Sequence, residues 1–411
     1  MAPFAAVIIR VGGEPVNTRS VLLIASGVSV TLVTVALARL SFGLILPAMR
    51  ESLALSNTQA GHLGTATALG YLALVMVAGA LAARHGARRS ILLGLVFVIV
   101  GFSGLSAASD YATLLALMAL LGMGTAFAYT PLISLMGAWF PARRGLVIGL
   151  LNSGVGTGLM CAGWIVPYLN QLDADNGWRH VWLLFAGVGV VSLLATLVFV
   201  HDPPRRQPTG NTLSVRERRH ARRAVFRHPY VVIVGLIYGI VGMTYIVQAI
   251  FMYSYALAAD IDDDVAGALA SFMGMLGILF GPLWGNLSDR LGRAQSLTLA
   301  MSLAFVSTVL PVLSPSLFGF AAHYVILGAA VTGMFTSSLA ASTERVNIDQ
   351  APLAVSYVTV FFAAGQLIGP TVAGWLIGPA DAFRLTFGVS AALTLLGALL
   401  GAVLIKLSKR D

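Results

Sequence analysis

Twelve runs of apolar residues, each long enough to cross a bilayer, leave this chain one kind of solvent. They lie at 20–48, 58–83, 90–109, 111–139, 145–169, 179–200, 230–258, 265–287, 295–313, 316–340, 353–378 and 382–405. A spanning helix needs roughly 17–25 such residues. Within lipid every backbone polar group must be satisfied inside its own segment, so the runs read as helices. Of the 411 residues, 58% are hydrophobic and 10% charged, whereas about a quarter of a soluble chain is charged. The expected fold class is an all-α membrane protein with twelve transmembrane helices.

The charges between the runs set orientation. With both termini in the cytoplasm, the cytoplasmic segments hold 21 of the 25 basic residues, eight of them in the loop after span six. The other side holds Arg50, Arg179 and Arg384 and the acidic stretch Asp260 to Asp264. This is the positive-inside pattern. The expected organisation is a tail over 1–19, a six-helix bundle over 20–200, a basic linker over 201–229, a second six-helix bundle over 230–406 and a tail over 407–411. The linker reads as a solvated segment on anionic headgroups. The net charge of +9 is no nucleic-acid signal, because the arginines sit in short loops between spans. The first twenty residues lack the pattern of a cleavable signal. The single cysteine, Cys161, has no disulfide partner in the chain.

The two halves repeat each other. "GALAARHGARR" from Gly79 follows span two, and "GNLSDRLGR" from Gly285 follows span eight, at an offset of 206. Gly154, Gly158 and Gly163-Trp164 in span five match Gly365, Gly369 and Gly374-Trp375 in span eleven, at an offset of 211. Glycines at four-residue spacing let helices approach closely. They are read as packing positions, together with Pro370.

On these features the chain resembles the major facilitator superfamily, and "ARLSFGLILPAM" with "LGTATALGYL" resembles its bacterial YbfB/YjiJ-type branch. The resemblance implies two six-helix bundles related by a pseudo-two-fold axis, an inner-membrane location, and a secondary carrier that rocks about a midplane site. It also implies gating roles for Gly79, Arg84, Gly86, Gly285, Asp289, Arg290, Gly292 and Arg293, with Asp289 pairing in one state only. Three departures stand out. Ala83 occupies the first-half acid position, Met118 occupies a position where many relatives keep an arginine, and the Gly-Pro pair lies at Gly369-Pro370 rather than in span five. These weaken a drug/proton antiport reading.

Arg39 lies inside span one, about 12 Å from its outer end at 1.5 Å per residue. Arginine at a helix centre costs ~2.5–3.5 kcal/mol on insertion scales. All sixteen acids lie in loops, tails or span ends, so no buried carboxylate is available to neutralise it. A substrate anion is the expected counter-charge, since the guanidinium fork suits a carboxylate. Against this, the face of Arg39 carries Leu32, Phe42, Gly43 and Leu46, and the polar Thr31, Thr34 and Ser41 fall roughly opposite. Donation to backbone carbonyls, or snorkelling to the interface, is the competing account.

Tyr71, Tyr129, Asn152, Tyr245, Gln248 and Gln366 are the other expected substrate contacts, being polar and mid-span. Tyr245 is equivalent to Arg39 at the 206 offset. His323, about two turns inside span ten, is the candidate for coupling to a co-transported proton. Trp164, Trp178, Trp182, Trp284 and Trp375 read as interfacial anchors.

No metal-ligand spacing, Walker loop or nucleophile elbow occurs, so neither an enzyme nor a bound cofactor is expected. The expected function is secondary transport of a small organic anion, by symport if His323 carries a proton, with the protein acting as a monomer in the bilayer. An exporter of amphipathic or cationic compounds and a non-transporting receptor or scaffold are the two competing readings.

Overall fold

The computed structural model describes residues 18–140, 144–202, 225–346 and 350–408. Most of the expected linker and most of each expected tail lie outside the described residues. Among the described residues twelve helices are long and apolar enough to cross a membrane. Span one comprises Thr18–Thr31, a π-helical segment Leu32–Leu40 and Phe42–Ser52. Spans two to six are Asn57–His85, Ala87–Ala107, Tyr111–Trp139, Arg144–Leu172 and Gly177–Phe199. Spans seven to twelve are Pro229–Ala258, Asp263–Leu291, Arg293–Leu313, Leu317–Ser342, Ala351–Ile377 and Phe383–Ser408.

Packing follows the internal repeat. Span two packs on four, three on four and six, and one on five and six. Six places along the chain, eight packs on ten, nine on ten and twelve, and seven on eleven and twelve. This is a pair of six-helix bundles related by a pseudo-two-fold axis. The bundles meet through span two on eleven, its counterpart eight on five, and one on seven.

The repeated glycines explain how one helix serves both purposes. A Cβ on Gly154 or Gly158 would strike span one at Val28, Leu32 or Ala36; one on Gly365 or Gly369 would strike span seven at Gly239 or Met243. Further along the same helices, a Cβ on Gly163 would strike Gly267 and Ser271 of span eight, and one on Gly374 would strike Asn57 and Gly61 of span two. Pro370 packs against Gly61 and Gly64. Spans five and eleven therefore each use two glycines inside their own bundle and a third to touch the other bundle.

The loop repeat has an equally direct cause. Gly86 (φ 96°) ends span two and begins span three, and Gly292 (φ 95°) does the same between spans eight and nine. With ψ at 147° and 154°, both lie near a region that L side chains scarcely enter, where occupancy costs ~1–3 kcal/mol. Gly292→Ala is expected to destabilise by about that amount, read as a lower melting temperature in detergent. An unchanged melting temperature would show that the turn relaxes freely. The first-half loop also replaces its missing acid: Asp202, just past span six, accepts the Arg88 backbone N–H at 3.0 Å. The Arg88 guanidinium donates to the Leu197 carbonyl.

Three of the expected tryptophan anchors belong to the core instead. Trp178 and Trp182 are fully buried, with Trp182 stacked on Phe102, and Trp284 is buried with its indole N–H on the Ala329 carbonyl at 2.6 Å. Position near a span end does not choose between the lipid-facing and bundle-facing sides of a helix. Trp164 and Trp375, equivalent in the repeat, are 63% and 70% exposed, as anchors should be.

Candidate functional site

The site begins with the backbone of span one. The Ser41 N–H bonds to the Ala36 carbonyl at 2.8 Å, an i→i−5 bond that belongs to a wide helical turn. Such turns are rare and occur often at functional sites. Arg39 sits within this segment. The Thr34 and Ser41 hydroxyls turn back to the Val30 and Ala36 carbonyls at 2.8 and 3.0 Å. Those polar residues are thus satisfied within their own helix. The apolar face of Arg39 is the face turned toward the second bundle: Phe42 lines a small cavity beside Arg39, and Gly43 lies against the backbone of Ala249 in span seven.

The guanidinium crosses between the bundles. Its Nη2 donates to Gln366 Oε1 at 2.8 Å, and its Cζ stands 5.1 Å from the Tyr71 ring centroid, within range of a cation–π contact. Tyr129 and Tyr245 lie in its neighbourhood. No acid among the described residues pairs with it. The Arg50–Asp381 ion pair and the His180–Asp173 contact lie at span ends on the acidic face. The cavity beside Arg39 is about 10 Å³, room for about one water.

Around this centre the Tyr71 hydroxyl meets Thr130 at 3.3 Å, and Tyr129 donates to Asn152 Oδ1 at 3.1 Å. Six of the seven expected contacts therefore gather in one region. Gln248 does not join them: its amide is bonded to the Thr244 carbonyl and to Thr308 of span nine. It satisfies a polar contact inside the second bundle, a role its position in span seven could not distinguish from substrate contact. His323 is also elsewhere. It is fully buried between spans nine and ten, with Nδ1 2.9 Å from the Ser307 carbonyl. Exchange for glutamine is expected to change the melting temperature and leave the pH profile of uptake in place. Loss of that profile would put His323 in the pathway.

Sequence reasoning missed an aromatic wall from the second bundle. Tyr238 stacks on Phe362 at 4.6 Å, and Phe335 meets Tyr245, Phe362 and Tyr238 edge-on at 5.2, 5.6 and 6.3 Å. One signal was available: Tyr238 precedes Tyr245 by seven residues, two turns along one face. The phenylalanines carried none, since Phe in a span is ordinarily core or lipid-facing.

The bundles close on one side of this site. On the acidic face Asn57 donates to the Gly378 carbonyl at 2.7 Å and to Asp381 at 2.9 Å, and Arg50 reaches Asp381 at 3.8 Å. Thr65 meets Thr371 at 2.8 Å, and Gln171 donates to Asp264 at 2.8 Å. On the basic face no cross-bundle hydrogen bond occurs among the described residues. A Cβ on Gly79, Gly149, Gly277 or Gly285 would meet nothing within 4 Å, and Asp289 forms no ion pair with a described residue. Asn152 is exposed, so the central cluster is approached from the basic side.

A family described as "Uncharacterised MFS-type transporter YbfB" matches residues 31–402. Among curated proteins the chain is similar to human monocarboxylate transporter 6, 25% identical over 80% of this chain and 70% of that protein. It is also similar to the probable sulfoacetate transporter SauU of Cupriavidus necator, 25% identical over 88% of each. Among solved structures it resembles a bacterial homologue of the human lysosomal transporter Spinster in an inward-facing, unoccupied conformation. The TM-score is 0.79 with 18% identity, over 96% of this chain and 98% of that one.

Proposed function

Because the chain belongs to the family of YbfB-type transporters in the major facilitator superfamily, we propose that it carries a small organic anion, held by its carboxylate on Arg39. One observation carries the reading: an arginine at the junction of two bundles, bonded to a neutral amide and facing an aromatic ring, with no acid among the described residues to balance it. A charge kept there without a partner costs several kcal/mol unless a ligand supplies the counter-charge. The names of two relatives, a monocarboxylate and a probable sulfoacetate transporter, are in keeping with an anionic cargo.

The cycle follows from the packing. With the basic face read as cytoplasmic, in keeping with the positive-inside pattern, the acidic-face contacts close the outside and cargo reaches Arg39 from within. Rocking the bundles reverses this: the Asn57, Thr65 and Gln171 contacts break, and the surfaces at Gly79 and Gly285 close, with Asp289 then meeting a partner. Alternation of this kind needs no metal or cofactor. The test is a thermal-shift screen of monocarboxylates, dicarboxylates and organic cations at two pH values, then counterflow of the best ligand in proteoliposomes. Stabilisation by carboxylates with counterflow is expected. Stabilisation by cations alone would overturn the anion reading in favour of an exporter, and binding without counterflow would indicate a receptor.

A further inference from the structure

We propose that the cargo is a monoanion with a planar, apolar body: an aromatic or similarly flat monocarboxylate, its carboxylate on Arg39 and its ring against the wall of Tyr238, Tyr245, Phe335 and Phe362. This rests on the anion reading above and narrows it. Two features of the site carry it. The first is charge count. Among the described residues Arg39 is the only arginine or lysine that lies inside a span and away from its ends, so the site neutralises one negative charge. A second carboxylate would lie in a region whose other polar groups are neutral: Tyr71, Tyr129, Asn152 and Gln366. Burying an uncompensated anion there is strongly unfavourable.

The second is the shape and chemistry of what faces the guanidinium. On the first-bundle side Arg39 lies over the Tyr71 ring. On the other side Tyr245, the repeat equivalent of Arg39, leads into rings arranged edge-on and offset-stacked, with centroids 4.6–6.3 Å apart. These are the geometries that favourable aromatic pairs adopt, so a flat ring would extend the array. Phe335 and Phe362 are only partly buried and leave surface for contact. A hydroxylated chain would find few partners on this wall and would lose its water.

Binding to the purified full-length protein is measured by thermal shift and calorimetry with benzoate, acetate, phthalate and benzamide. Benzoate is expected to bind at least about tenfold more tightly than acetate, because its ring adds buried apolar and aromatic contact. Phthalate is expected to bind more weakly than benzoate, and benzamide not at all. Benzoate equal to acetate, or phthalate tighter than benzoate, overturns this proposal and leaves the anion reading standing. Benzamide equal to benzoate overturns the anion reading itself. Phe335→Leu and Phe362→Leu, checked for an unchanged melting temperature, are expected to weaken benzoate about tenfold and acetate less than about twofold. Equal losses for both ligands would give the rings a structural role only, and the proposal would fall.

Discussion

Arg39→Ala is expected to reduce carboxylate transport by about a hundredfold. Truncating one partner of a buried, charge-assisted pair costs about 2–5 kcal/mol, and ~3 kcal/mol corresponds to that factor. Arg39→Lys keeps the charge but loses the planar fork that grips a carboxylate at two points, so a smaller fall, about tenfold, is expected. Stability should move the other way. The alanine variant leaves the Gln366 amide oxygen without its 2.8 Å donor, a loss of ~1 kcal/mol. It also removes a cation from mid-membrane, where insertion costs ~2.5–3.5 kcal/mol. The ligand-free variant should therefore melt at the same temperature or higher. Wild-type transport in both variants would end the proposed role. Transport lost together with a large drop in melting temperature would make Arg39 a structural residue.

The second large effect concerns alternation. Gly374 in span eleven faces Asn57 and Gly61 of span two, with Gly61 Cα 3.1 Å from where a Cβ would stand. These neighbours are backbone atoms and cannot rotate away. Gly374→Val overpacks this contact, at a typical cost of 1–3 kcal/mol. The partners belong to the opposite bundle, so the cost falls only on the state closed at the acidic face. A shift of ~10–100-fold toward the state open on that face follows. In a Cys161→Ser background, a Thr65→Cys probe, placed where span two meets Thr371, should become more reactive to an impermeant maleimide from the acidic side while transport falls. Gly187→Val is the control, since its Cβ would meet nothing within 4 Å. Transport lost without any gain in labelling would contradict the gate.

Cap chemistry outside the membrane is the most local part of the fold, although the reading by spans and charges passed over it. Asp110 caps span four by accepting the Thr113 N–H at 2.9 Å, and the hydrogen bonding at Thr113 holds its carboxyl below the usual range. Ser56 and Gln59 form a reciprocal capping box at the start of span two. Such contacts involve residues three apart and are written in the chain order. The tryptophans show the opposite case: Trp164 and Trp182 are both apolar, both in spans, and only packing puts one in lipid and the other in the core.

By itself the sequence determined the twelve spans, the repeat and the isolation of Arg39 from acids, because each depends on local hydrophobicity, on spacing or on a count. It also made most of the central residues visible, since a polar group in a membrane span is costly and stands out. Only the tertiary structure decided that the apolar face of Arg39 is the inter-bundle face, that Gln248 and the Nδ1 of His323 bond within the second bundle, and that ordinary phenylalanines from spans ten and eleven gather around Tyr238 and Tyr245. Those are facts about which helix faces meet. Helices in lipid bury similar residues against neighbours and against hydrocarbon, so the pattern along one helix leaves the meeting of faces undetermined.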